Sequence, residues 1–225
     1  MNWPELPLGE SAPAVPAKLA NEGVSYANTS CIISGWGQTS GSGGSPNTLQ
    51  QAYILKISRA ECNALWSRYG VTITDKHICV YERDATGLAA PSTRIVNGDN
   101  AQLFDHPYQV SLQAYSFNSW YHTCGAVLVA PDKVVTAAHC VDKKQARNLR
   151  VVVGVHNLFD PPNEYQQTVA VASFRMHENY NGNGNGYPND IAVITLFTPV
   201  TYNRNVQNQE VSGSNLGKDW EFWDF

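Results

Sequence analysis

Thr136-Ala137-Ala138-His139-Cys140 sets an imidazole among small residues, with a cysteine directly after it. The alanines permit close backbone packing, and the cysteine can staple the loop that carries the histidine. Further along, Asn189-Asp190-Ile191-Ala192-Val193-Ile194 places a carboxylate at the head of a nearly continuous apolar strand. A carboxylate behind a histidine holds the ring in one tautomer, so that its other nitrogen can take the proton of a nucleophilic hydroxyl. No serine in a matching frame follows Asp190.

The surrounding sequence is written in short apolar runs split by turn residues. Gln109-Val110-Ser111-Leu112-Gln113, Gly125-Ala126-Val127-Leu128-Val129, Arg150-Val151-Val152-Val153-Gly154 and Ile191 to Phe197 predict antiparallel strands. Gly41-Ser42-Gly43-Gly44-Ser45-Pro46 and Gly182-Asn183-Gly184-Asn185-Gly186 predict loops. Residues 59–68 carry the one convincing short helix signal, so the chain reads as all-β.

Three further runs join the histidine and aspartate runs in one resemblance. Arg94-Ile95-Val96-Asn97-Gly98 resembles the zymogen activation junction of the trypsin-like serine proteases, and His106-Pro107-Tyr108-Gln109-Val110-Ser111-Leu112 the first barrel strand that follows it. Cys31-Ile32-Ile33-Ser34-Gly35-Trp36-Gly37 resembles the strand that opens that family's second barrel. The resemblance implies chymotrypsin-like antiparallel β-barrels, the first nearly complete and the second about half present. It divides the chain into an unassigned N-terminus (1–11), a partial second barrel (12–87), a propeptide-like linker (88–94), a first barrel with His139 and Asp190 (95–207) and an unassigned aromatic tail (208–225).

Family order is reversed here, because the second-barrel segment comes first. It runs through Asp84-Ala85-Thr86-Gly87 and stops where the family continues into Gly-Asp-Ser-Gly-Gly-Pro. Three origins fit, ranked as a misassembled gene, a tandem protease array that lost exons, and a circular rearrangement. The superficially similar Ser42-Gly43-Gly44-Ser45-Pro46 follows Gly41 rather than an aspartate, with no cysteine just upstream, and reads as a loop.

Carried over by resemblance, His139 is the general base and Asp190 the carboxylate that orients it, while the nucleophilic serine is absent. Arg94 and Ile95 flank the activation cleavage. Cys124 pairs with Cys140, Cys62 pairs with Cys79, and Cys31 stays unpaired because its family partner lies beyond the nucleophile. The remaining histidines, His77, His106, His122, His156 and His177, match no catalytic motif and read as surface or structural residues. Asn28-Thr29-Ser30 is a candidate glycosylation sequon for a chain that enters the secretory pathway.

The function implied is that of a serine-type endopeptidase homologue with protein or peptide substrates, inactive as this chain. The other reading is a non-catalytic homologue that binds a partner protein, and a downstream Gly-Asp-Ser-Gly-Gly-Pro in the full transcript would decide against it. The residues that form the specificity pocket are absent. A net charge of -4 leaves no basic footprint for nucleic acid or an anionic membrane. No apolar run reaches the ~18 residues a membrane span needs. No cofactor is implied, and no metal: there is no Cys-x-x-Cys, and adjacent His139 and Cys140 do not easily converge on one ion. Met1-Asn2-Trp3-Pro4-Glu5 does not open a signal peptide, yet five cysteines in this pattern indicate an oxidising, extracellular compartment, so a missing N-terminal segment is expected.

Overall fold

The computed structural model describes residues 14–21, 23–39, 44–70, 72–74, 77–83, 89–90, 98–162, 166–183 and 189–202, without the side chains of 82, 83, 89 and 90. Arg94 and Ile95, the 208–225 tail and most of the two predicted glycine-rich loops lie outside these residues. The described residues form two compact units, one of residues 14–17 with 102–202 and the other of residues 18–101. Both are built mainly of strands.

The 18–101 unit holds β1 (Ser30–Gly35), β2 (Gln50–Lys56), helix α1 (Arg59–Trp66), β3 (Val80–Arg83), β4 (Ala89–Ala90) and β5 (Asp99–Asn100). Its sheet runs β1-β2-β3-β4, all antiparallel, and β5 adds to β2 through Gln50↔Asn100 and Gln51↔Asp99. Along β2, Gln50, Ala52 and Ile54 are buried while Tyr53 is exposed, the period-two pattern of a sheet with one covered face.

Helix α1 starts where it does because Ser58 and Glu61 form a capping box. The Glu61 N–H donates to Ser58 Oγ at 3.2 Å, and the Ser58 N–H donates to Glu61 Oε2 at 2.9 Å. A 3-10 turn over Ser67–Tyr69 continues it and stops at Gly70, whose φ of 71° suits glycine. The predicted helical span is thus real but changes type at Ser67. Asn63 ties α1 to the following segment by bonding both the N–H and the C=O of Ile73, at 2.7 and 3.1 Å.

The other unit is a closed six-stranded barrel of β6 (Gln109–Ser116), β7 (Ser119–Ala130), β8 (Lys133–Thr136), β9 (Leu149–Val153), β10 (Gln167–Met176) and β11 (Ala192–Leu196). Its order is β10-β11-β8-β7-β6-β9, and antiparallel pairing of β9 with β10 closes the ring. Closure removes the unpaired edges that an open sheet would expose. The interior is apolar. Val110, Leu112, Leu128, Val134, Leu149, Val151, Val153 and Ile194 are all essentially inaccessible, each adding roughly 1.5–3 kcal/mol of burial. The predicted strands fall on β6, β7, β9 and β11, with Gly154, Ile191 and Phe197 just outside them, and β6 and β7 run longer because the Phe117-Asn118 turn joins them in a tight hairpin. Along the apolar strand after Asp190, Ala192, Ile194 and Leu196 face the core while Val193 faces outward.

The barrel core also takes in a residue far away in sequence. Ala14 packs in it at 1% exposure, the Val15 N–H donates to the Pro107 carbonyl at 3.3 Å, and the Ala17 N–H donates to the Leu128 carbonyl at 2.8 Å. Placing a carboxylate at this dry position should cost about 2–4 kcal/mol or more. Ala14→Asp is therefore expected to lower the urea midpoint of the barrel, whereas Lys18→Asp at the neighbouring exposed position should leave it unchanged; both are read by circular dichroism during denaturation.

Candidate active site

β8 and β11 lie side by side with Ala192 opposite Thr136. Asp190 stands just before the start of β11 and His139 just after the end of β8, so antiparallel pairing brings both to the same end of the barrel. The backbone between Thr136 and His139 is held by the Thr136 hydroxyl, which donates to the buried Gly125 carbonyl at 2.9 Å. Ala138–Cys140 then form one 3-10 turn, closed by bonds from the Val141 and Asp142 N–H groups to the Ala138 carbonyl. Ala138 is fully buried, and a larger residue there would push this turn off the barrel.

Asp190 grips the turn twice. Its Oδ1 accepts the His139 backbone N–H at 2.8 Å, and its Oδ2 lies 2.6 Å from His139 Nδ1. The carboxylate side chain is 12% exposed and the imidazole 38%, so the acceptor is sheltered and the ring reaches solvent. An ionised carboxylate can only accept, which puts the proton on Nδ1 and the lone pair on Nε2. Nε2 lies 3.5 Å from Cys140 Sγ. That sulfur is in a disulfide and has no proton to give, so the contact leaves Nε2 basic.

The approach to Asp190 is set by local bonds. Asn189 has a φ of 60°, tolerable for asparagine, and its Nδ2 donates to the Asn179 carbonyl at 2.9 Å. The His177 N–H donates to the Ile191 carbonyl at 2.9 Å on the other side of Asp190.

Cys124 and Cys140 are joined (S–S 2.01 Å), as are Cys62 and Cys79 (2.05 Å). The first bond fastens the histidine turn to β7, and the second fastens α1 to the residue before β3. Cys31 is buried and keeps a thiol, 3.7 Å from the Thr29 carbonyl. The ligand atoms of Cys124, His139 and Cys140 converge within 4.8 Å. Both sulfurs are committed to the disulfide, however, so the cluster offers no thiolate to a metal. Asn28 is exposed in the turn before β1.

Of the other histidines, His77 bonds Thr74 at the surface, and His106 is buried with Nδ1 2.8 Å from the Tyr108 hydroxyl. Burial holds the His106 pKa below its ordinary value against the opposing pull of Asp105. His122 lies further inside than its sequence context indicates: its Nδ1 is 2.8 Å from the Oγ of fully buried Ser111, and desolvation pushes its pKa down to about 4. Pairing across β6 and β7 creates this contact, and no local motif signals it. Lys144 donates to Thr123 Oγ1 and to the Cys140 carbonyl at 3.0 and 2.9 Å, bracing the same turn from its far side.

The trypsin family profile matches residues 7–90 and 95–218, nearly the whole chain. This chain belongs to the trypsin family. The chain is 46% identical over 118 residues to a chymotrypsin-like serine proteinase of Haliotis rufescens, covering 52% of this chain and 45% of that protein. It is 38% identical over 130 residues to chymotrypsin-like elastase family member 1 of Felis catus (58% and 48% covered). With fibrinolytic enzyme isozyme C of Lumbricus rubellus it shares 36% over 121 residues (54% and 49%). The chain spans about half the length of the curated relatives it matches. The trypsin-family fold accounts for both the closed barrel and the second sheet.

The buried histidine of the barrel and the disulfide of the other unit each have a measurable effect on stability. Folding holds His122 neutral well below the pH at which an unfolded histidine protonates. Its contribution is therefore full above about pH 6.5 and is lost as pH falls toward about 4, on the order of 3 kcal/mol in all. Denaturant midpoints measured across that window should fall more steeply for the native chain than for His122→Gln. Replacing Cys62 and Cys79 together by alanine should cost about 3 kcal/mol, given the loop of 17 residues they close, measured by equilibrium unfolding with and without reductant.

Proposed function

We propose that His139 and Asp190 are the general base and orienting carboxylate of a serine-type endopeptidase acting on proteins or peptides, and that these residues alone do not carry out acyl transfer. The observation that carries the first half is the double grip of Asp190 on His139, which fixes the turn and engages Nδ1 of the ring. In peptide hydrolysis Nε2 takes the proton of an attacking serine hydroxyl and returns it to the leaving amine. The second half rests on the sequence, in which no Gly-Asp-Ser-Gly-Gly-Pro run occurs. The nucleophile and the oxyanion donors that such a run brings are each needed, and a triad without its serine retains only residual catalysis.

On this reading residues 12–87 represent part of a second barrel and residues 95–207 a first barrel, in reversed order, with 88–94 as the linker. Arg94-Ile95 is the activation junction, which gives a free Ile95 amine on cleavage. Two disulfides and the family's character support an extracellular setting, where Asn28 is a glycosylation site. Among the described residues no helix is long and apolar enough to cross a membrane.

The test has two arms. A serine-directed phosphonylating reagent should leave the purified chain unlabelled before and after cleavage at Arg94; stoichiometric labelling that vanishes in His139→Ala would reveal a nucleophile and overturn the inactive reading. Nitrogen NMR of the His139 ring should find the proton on Nδ1, and Asp190→Asn should move it to Nε2 by presenting an amide donor. An Nε2–H tautomer in the native chain would remove His139 from the role of base.

A further inference from the structure

The segment that leads from β10 to Asp190 contains Asn181-Gly182-Asn183-Gly184-Asn185-Gly186, an alternation that the catalytic reading does not use. Glycine after asparagine removes the Cβ that ordinarily keeps the following backbone nitrogen away from the side-chain amide. The first of these steps lies within the described residues. Asn181 is exposed, and its Oδ1 accepts the Asn183 N–H at 3.1 Å. That bond turns the side-chain carbonyl toward the backbone that follows and polarises it. Among the described residues no backbone carbonyl takes the Gly182 N–H.

We infer that Asn181-Gly182 is a self-modification site at which Asn181 converts spontaneously to isoaspartate and aspartate. Solvent hydroxide removes the Gly182 amide proton, the nitrogen attacks Asn181 Cγ, and the new N–Cγ bond expels ammonia to leave a cyclic imide. Water then opens the imide at either carbonyl. The net change is one water consumed and one ammonia released, with no oxidation or reduction.

The product adds one negative charge and, in the isoaspartyl form, one backbone carbon. Gly182 sits close to Asp142: a Cβ built on it would lie 3.4 Å from Asp142 Oδ2 and 3.0 Å from the Tyr180 hydroxyl. The new carboxylate thus enters a region that already holds an acidic group. The neck of the segment is closed by the Asn189–Asn179 and His177–Ile191 bonds, so the added backbone length falls outside the contacts that seat Asp190.

The experiment ages the full native chain in mildly alkaline buffer and follows the peptide spanning residues 177–189 by mass spectrometry, beside the same peptide free in solution. The expected result is a gain of about one dalton assigned by fragmentation to Asn181, with a rate in the folded chain within about threefold of the free peptide. Asn181→Gln should abolish the gain at that position, and Gly182→Ala should slow it by about tenfold or more by restoring the missing Cβ. Retention of the Asn181 amide through several half-lives of the free peptide would overturn the inference. So would conversion confined to Asn183 or Asn185.

Discussion

The pairing of Ala192 with Thr136 across β11 and β8 is the contact on which the site depends. Antiparallel strands hold their residues in a fixed register, so a residue just before one strand and a residue just after the other overhang the same end. His139 and Asp190 occupy those overhangs. A slip of one position would turn Ala192, Ile194 and Leu196 out of the core and Val193 into it, which the burial of the first three opposes strongly. The hydrophobic effect in the barrel therefore sets the distance between two polar groups at its rim.

The carboxylate adds precision that the strands alone lack. One oxygen holds the backbone of the histidine turn and the other holds the ring, so a single side chain fixes position and tautomer together. Shelter of Asp190 from solvent strengthens both bonds, since charge-assisted hydrogen bonds gain where water competes less. The Cys124–Cys140 bond and Lys144 restrain the same turn from the opposite side. A histidine so constrained has little conformational freedom left to lose.

Neither compact unit follows the division of the chain by motif. The barrel takes Ala14 into its core and bonds the backbone of Val15 and Ala17, while the other sheet takes in Asp99-Asn100 and bonds the Ala101 N–H to the Leu49 carbonyl at 2.9 Å. Each unit thus uses a few residues that a division by motif assigns to the other part of the chain. Short segments of this kind carry no periodicity of their own, because their burial is decided by the surface that receives them.

Local chemistry makes much of the protein legible in its amino-acid sequence. Short apolar runs between turn residues indicate strands, residues 59–68 mark the helix, and the flanks of His139 and Asp190 single out those two among many polar residues. The family profile supports the fold class that these features imply. Contacts between remote residues are not legible in the same way. The Ser111–His122 pair, the insertion of Ala14 and the length of the β6–β7 hairpin leave no local trace, since each depends on which strands become neighbours. The sequence by itself determined which side chains are candidates for the chemistry and what each can do as donor, acceptor or staple. Tertiary structure alone decided that an imidazole and a carboxylate meet at 2.6 Å, because that distance is set by the register of a closed barrel, and the register is selected by the summed burial of side chains spread along the whole unit.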